Sequence, residues 1–135
     1  MTESKRHRVA ITGLGPITAV GTGVERLWSG LRRDRSPIRT VTRFDPSPWR
    51  SRIGAEVDDF EPEAFMDRKT ARRLDRYSQF AIAATRMAID DAGLDTLRLD
   101  PDRVAVQMGS ALGGIAHAEA QVANFMNGGI RAVDP

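Results

Sequence analysis

The chain has 135 residues, 41% hydrophobic and 28% charged, a size and balance that suit one globular domain and exclude a disordered polar segment. A net charge of +2 gives no global argument for nucleic-acid binding, and the absence of cysteine removes disulfides, thiolate metal sites and a Cys nucleophile from these residues. No apolar run approaches the roughly 18 residues of a membrane span. The stretch after the basic start Met1–Arg8 is also too short and glycine-rich for a signal-peptide core, so a cytoplasmic setting with no membrane partner is expected.

Val9-Ala-Ile-Thr12 is a β-branched run entering Gly13-Leu14-Gly15, which predicts a strand leading into a tight loop. Thr22 or Gly23 can cap a helix from about Val24 to Arg32 with Leu27, Trp28 and Leu31 as its apolar stripe. From Asp34 to Arg52 three prolines and no sustained period predict a long surface loop with at most short strands. Ile53–Val57 alternates weakly and reads as a further strand.

A second helical region begins after Asp67 and continues through Asp91, carried by Leu74, Tyr77, Phe80, Ala84 and Met87 at i, i+3/i+4 spacing. Ala81, Ala83, Ala84 and Ala88 are small enough to let a neighbouring element approach closely, and Gly93 is a plausible left-handed stop. Asp90 and Asp91 stand at the wrong end for the helix dipole. Val104–Met108 then reads as a buried strand, followed by Gly109-Ser-Ala-Leu-Gly-Gly114 and a helix to about Met126 that Asn127-Gly128-Gly129 stops. Two or three strands, each wanting neighbours and cover on both faces, point to a chain that continues beyond Pro135 and that would fold poorly in isolation.

Two glycine loops invite a ligand reading. Gly13-Leu-Gly15 lacks the third glycine of a dinucleotide fingerprint, since position 18 is Thr18, and Pro16 removes a backbone N–H. Close packing of a strand exit against other backbone is the stronger reading there. Gly109–Gly114 opens a helix, where free N–H groups collect, so it can be an anion nest or a place of close backbone approach, with packing favoured.

Chemistry-bearing groups are sparse. His7 lies in the basic start and His117 on the last helix with no identifiable acid partner, and no metal-ligand spacing or nucleophile–base pair is present. One charge feature stands out: Arg68, Lys69, Arg72, Arg73 and Arg76 crowd a short helical stretch, with 69, 72, 73 and 76 sharing a face. That face is either solvated and partly neutralised by Asp67 and Asp75, or a docking patch for an acidic partner.

Taken in order, Val9-Ala-Ile-Thr-Gly-Leu-Gly15, Leu27-Trp28, Arg43-Phe-Asp45, Asp67-Arg-Lys-x-x-Arg-Arg-Leu-Asp75, Ser78-Gln-Phe80, Asp90-Asp-Ala-Gly93, Gly109-Ser-x-Leu-Gly-Gly114 and Met126-Asn-Gly-Gly129 resemble the opening of bacterial elongating β-ketoacyl-acyl-carrier-protein synthases. The resemblance implies an α/β architecture, the incomplete N-terminal half of a thiolase-like fold with a mostly parallel sheet between helices. Residues 1–135 would be the first part of the synthase N-terminal domain, without its remainder or the C-terminal domain. It also implies a homodimeric acyltransferase of fatty-acid synthesis that needs no cofactor of its own, its substrates riding on the phosphopantetheine arm of acyl carrier protein. The alternative is a ketosynthase, or a non-catalytic chain-length subunit, of an aromatic polyketide pathway.

By the same resemblance no catalytic residue falls within the chain, which alone is expected to be inactive. Leu112, with Gly109, Ser110, Gly113 and Gly114, matches the loop that lines the acyl pocket. Lys69, Arg72, Arg73 and Arg131 match positions that receive acidic acyl carrier protein, and Ala132 stands where a second basic residue is often found.

Overall fold

A computed structural model describes residues 8–134; the basic start with His7 and the final Pro135 lie outside the described residues. The first ordered feature is a tight hairpin. Strand β1 (Ile17–Thr18) pairs antiparallel with β2 (Gly21–Thr22), and the Gly23 N–H donates to the Pro16 carbonyl at 2.8 Å. Gly23, with φ 87°, is the N-cap of helix α1 (Val24–Leu31), so glycine takes the cap and the Thr22 hydroxyl turns instead to the Asp59 carboxylate. Helix α1 seats on the hairpin through Gly30, where a Cβ would lie 2.6 Å from the Val20 carbonyl oxygen. Its Trp28 and Leu31 stay largely exposed, and Arg32 stacks on the Trp28 ring.

A second ladder joins β3 (Ile38–Thr40) antiparallel to β4 (Ile53–Ala55) across the proline-rich loop. The buried Glu56 carboxylate organises that loop by accepting bonds from the Thr42 and Arg43 N–H groups and the Thr42 hydroxyl, while Arg39 bridges it to Asp58. These bonds, led by the Thr42 N–H, hold the Glu56 carboxyl below the usual glutamate range against the opposing cost of desolvation.

The helical centre follows. A 3-10 turn at Pro62–Ala64 leads to α2 (Arg68–Arg73), capped by the Asp67 carboxylate on the Thr70 N–H. Helix α3 (Arg76–Asp91) starts from a second cap, Asp75 on the Tyr77 N–H. The single helical region expected over 68–91 is therefore two helices. The break falls at Leu74 (φ −96°, ψ 137°), because the Asp75 side chain offers the backbone a better partner than a continued helix would. Helix α3 ends on Gly93 at φ 58°, with the Leu94 N–H reaching the Ile89 carbonyl and the Gly93 N–H reaching that of Asp90, as the sequence predicts.

The core of the described residues lies here. Phe60 stacks on Phe65 and meets Phe80 edge-on at 4.8 Å, and Met66, Ala71 and Ala83 are buried around them. Along the other side of α3, Gly13 and Gly15 cross a floor of small residues. A Cβ on Gly13 would lie 2.1 Å from the Ala88 carbonyl oxygen, and one on Gly15 1.9 Å from that of Ala84. The packing role expected for this loop is thus its observed one. Asp91 adds a bond of its own, accepting the Leu14 N–H at 2.9 Å, which gives a carboxylate at the unfavourable end of the dipole a local use.

Beyond Gly93 the chain is thinly packed. Two 3-10 turns (Thr96–Arg98 and Pro101–Arg103) lead to an extended segment, then to α4 (Ile115–Gly128) and a last 3-10 turn at Ile130–Ala132. The parallel sheet expected from the sequence is not formed: among the described residues both ladders are antiparallel and two-stranded. Val9–Thr12 and Val104–Met108, expected as strands, carry no strand assignment, and Val9, Ile11 and Val106 are 90%, 83% and 76% exposed. A strand is a pairing and not a property of its residues, so a β-branched run without a neighbour stays unladdered. The chain exposes 11801 Å², against about 7,000 Å² for a compact monomer of its mass. No helix among the described residues is long and apolar enough to cross a membrane.

Candidate functional site

Helix α2 turns Ala71 into the core beside the buried Met66 and leaves its cations outside. The five cations expected along this stretch have different fates. Arg68 pairs with Glu63 at 3.6 Å. Arg76 belongs to α3 and turns inward, donating to the Val57 carbonyl at 2.8 Å and lying over the Phe60 and Phe80 rings at 5.4 and 4.9 Å. Burial, and then the like charge of Arg43, lower the pKa of its guanidinium. Arg76 is therefore a half-buried cation lying on aromatic rings and not part of a shared surface face, because the helix break at Leu74 resets the helical phase on which that face was predicted.

Lys69, Arg72 and Arg73 remain exposed, and among the described residues no carboxylate oxygen lies within 4.0 Å of them. The two acids nearest in sequence are otherwise engaged. Asp67 is held as a carboxylate by the Thr70 hydroxyl and N–H, which push its pKa down, and Asp75 is occupied by backbone N–H groups. Three like charges on about one and a half turns, with no direct ion pair, make a patch whose field reaches solvent and is only partly offset by the Asp67 and Asp75 carboxylates. Arg72 and Arg73 also occupy the last turn, where a positive charge suits the helix end.

The glycine loop stands beside this corner. Gly113 adopts φ 55° and its N–H donates to the Ser110 hydroxyl at 2.8 Å, so the loop closes on itself. At Gly109 and Gly113 a Cβ would meet no atom within 4 Å, whereas at Gly114 it would sit 3.4 Å from Asp75. The close approach expected across this loop is therefore concentrated at its last residue. Leu112 projects 72% exposed.

The joint between patch and loop is Asp75, expected only to neutralise the patch in part and to close the Asp67–Asp75 motif. Its Oδ1 accepts from the Tyr77 N–H at 3.0 Å and its Oδ2 from the His117 N–H at 3.1 Å, so one carboxylate serves the N-terminal turns of both α3 and α4. Neither its cap on α3, which falls inside what the spacing predicts as one helical region, nor its second bond, across 42 residues, is legible in the sequence. Arg131 lies in the turn after α4 and is exposed. Helix α4 therefore separates the Asp75 contact at its N-terminal turn from the turn that carries Arg131 after its C-terminus.

The chain as a whole is similar to known proteins. Residues 6–134 match the family model for the beta-ketoacyl synthase, N-terminal domain. A 3-oxoacyl-[acyl-carrier-protein] synthase 2 from Synechocystis sp. is 38% identical over 135 residues, covering 100% of this chain and 32% of the relative. A putative polyketide beta-ketoacyl synthase 1 from Streptomyces halstedii is 44% identical over 126 residues, 93% of this chain and 30% of its own length. Among solved structures, the ishigamide ketosynthase/chain length factor superposes with a TM-score of 0.71 at 34% identity, over 93% of this chain and 31% of the other. A type II polyketide acyl-carrier protein in complex with its ketosynthase gives a TM-score of 0.75 at 27% identity, over 96% and 33%. The chain spans about a third of the length of the curated relatives it matches. With the family model matched from end to end of the described fold, this chain belongs to the β-ketoacyl synthase family, in its N-terminal domain.

Proposed function

We propose that these residues form the first part of the N-terminal domain of an elongating β-ketoacyl-acyl-carrier-protein synthase, and that Lys69, Arg72 and Arg73 receive the acidic carrier protein. The observation that carries this reading is the unpaired basic patch on α2, set one corner away from the glycine loop in a chain of this family. A carrier delivering an acyl group needs an electrostatic landing surface near the pocket, and charges of this kind act mainly on encounter and register. The structure of a related ketosynthase bound to an acyl-carrier protein supports a carrier as partner.

In the reaction proposed, a cysteine outside these residues takes the acyl group from the carrier as a thioester. Malonyl-carrier loses carbon dioxide, and the carbanion left attacks that thioester carbonyl, forming a carbon–carbon bond and expelling the thiolate. Backbone N–H groups would hold the developing oxyanion. This chain contains no cysteine and supplies scaffold, docking surface and pocket lining; by itself it is inactive. Within that scheme Leu112 limits acyl length, backed by Gly109, Ser110, Gly113 and Gly114, and Arg131 adds a second carrier contact at the far end of α4. The complete enzyme would be a cytoplasmic homodimer without a bound cofactor.

A second reading, the ketosynthase or chain-length subunit of an aromatic polyketide pathway, is favoured by the relative from Streptomyces halstedii, by the ketosynthase/chain length factor structure and by the type II polyketide complex. One experiment separates them. The full-length protein, given acyl-carrier and malonyl-carrier substrates, should release a β-ketoacyl-carrier two carbons longer, read by mass spectrometry. Repeated extension without intervening reduction would select the polyketide reading, and no condensation in the presence of a cysteine-bearing homologue would remove both enzymatic readings. Leu112→Phe should shorten the acyl chains accepted, and an unchanged length profile would remove its pocket role.

A further inference from the structure

Asp75 does more than an N-cap requires. A capping carboxylate ordinarily satisfies N–H groups of its own helix. Here one oxygen serves α3 through Tyr77 and the other reaches the third residue of α4, His117. Helix α4 has no side-chain cap of its own, because its N-cap is Gly114. That glycine is also the one loop glycine pressed on another element, with the Cβ and Cγ of Asp75 both 3.4 Å from where its own Cβ would be. Loop residues 109–112 are exposed, and the internal Ser110–Gly113 bond ties the loop to itself and to nothing else. The start of α4, and Leu112 two residues before Gly114, are therefore located by the Asp75 carboxylate.

On its other side Asp75 follows directly from α2. Gln79 on the first turn of α3 donates to the Ala71 and Leu74 carbonyls at 2.7 and 3.2 Å, fastening the end of α2 to α3. The basic patch, the corner and the glycine loop thus form one connected stretch: α2, Leu74, Asp75, the α4 N-terminus and Leu112.

We propose that Asp75 is a positioning residue that sets the Gly109–Gly114 loop in register with α2, and so takes part in deciding which acyl length the pocket accepts. This rests on the condensing function proposed above. Two separate acceptor oxygens are needed, so asparagine, with one acceptor and one donor group, can replace only one of the bonds. A residue that merely stabilised the fold would change yield or melting without changing the ratio of activities between substrates.

The test uses the full-length enzyme and a ladder of saturated acyl-carrier substrates differing by two carbons. In Asp75→Ala the ratio of kcat/KM between the longest accepted chain and the next shorter one should change by about fivefold or more, while carrier Kd stays within about twofold. Asp75→Asn should move the ratio the same way by less. Lys69→Ala should do the reverse, weakening the carrier Kd and leaving the ratio alone. Wild-type ratios in both Asp75 variants, or a change confined to Kd, would overturn the assignment, and if Asp75→Ala does not fold then Asp75→Asn decides it. A wild-type enzyme that condenses nothing would remove the proposed function itself, before Asp75 is altered.

Discussion

The segment from Val104 to Asp134 is richer in apolar residues than the segment from Gly13 to Gly93, yet it has less of a core. In the Gly13–Gly93 segment, Gly13 and Gly15 lie on the backbone of α3, and Phe60, Met66, Ala71 and Ala83 are buried. In the Val104–Asp134 segment, Val106, Val122, Phe125, Met126 and Ile130 are all more than half exposed. The Gly13–Gly93 segment forms a small core against itself, although Trp28, Leu31, Trp49 and Ile53 stay more than half exposed. The Val104–Asp134 segment presents apolar faces for which the chain supplies no cover, and its residues owe their conformations to helix formation and to a few bonds such as that of Asp134 to Gln121.

The contrast predicts that residues 1–135 expressed alone will melt without a sharp cooperative transition, since the exposed apolar surface costs more than one small core offsets. A sigmoidal calorimetric transition from a soluble monomer would break the comparison outright. The next effect belongs to the glycines. Gly15→Ala in the full-length protein should cost about 3 kcal/mol by driving a methyl into the Ala84 carbonyl. Gly109→Ala, with nothing within 4 Å, should stay within about 0.5 kcal/mol. Equal urea midpoints for the two variants would show that the crossing of α3 is looser than described.

Phe60→Ala removes two aromatic contacts and the seat of Arg76 and should cost about 3 kcal/mol in any context that folds. Phe125→Ala sharpens the comparison, because it should cost little in the isolated chain and about 2 kcal/mol or more where the α4 face is covered. Reversing Lys69, Arg72 and Arg73 to glutamate should weaken carrier binding about tenfold at low salt and flatten its salt dependence, measured by titration at several ionic strengths. Unchanged affinity at low salt would remove the docking role.

The smallest effect is with pH. Glu56 has a depressed folded-state pKa, so its contribution is fully present above the ordinary glutamate value, about 4.3, and is lost as pH falls through the lower folded value. Proteolysis within the 38–57 loop should therefore rise only at acid pH, and Glu56→Gln should be cleaved at neutral pH as the wild type is in acid. Identical pH profiles for the two would separate the loop from its carboxylate.

Much of the helical content was legible. The periodic runs of α1, α3 and α4, the Gly93 stop and the close packing of Gly13-Leu-Gly15 follow from spacing and from where small residues stand. The split between α2 and α3 was less so, because Asp75 fits a helical face as well as it fits a cap until its bond partners are known. Of the basic cluster, Lys69, Arg72 and Arg73 kept the place the sequence assigned them. Arg76 did not, since an arginine over two aromatic rings has the same helical spacing as one in solvent.

By itself the sequence determined the periodic runs of α1, α3 and α4, the family to which its ordered motifs point, and the stretch where cations concentrate, because helix period, glycine placement and charge are properties of neighbours along the chain. Tertiary structure alone decided which cation turns onto aromatic rings, which strands find a partner, and that one carboxylate at Asp75 holds the starts of two helices, the second through His117, 42 residues away. Burial, pairing and capping across such a distance depend on which distant atoms arrive, and no local pattern encodes that arrival.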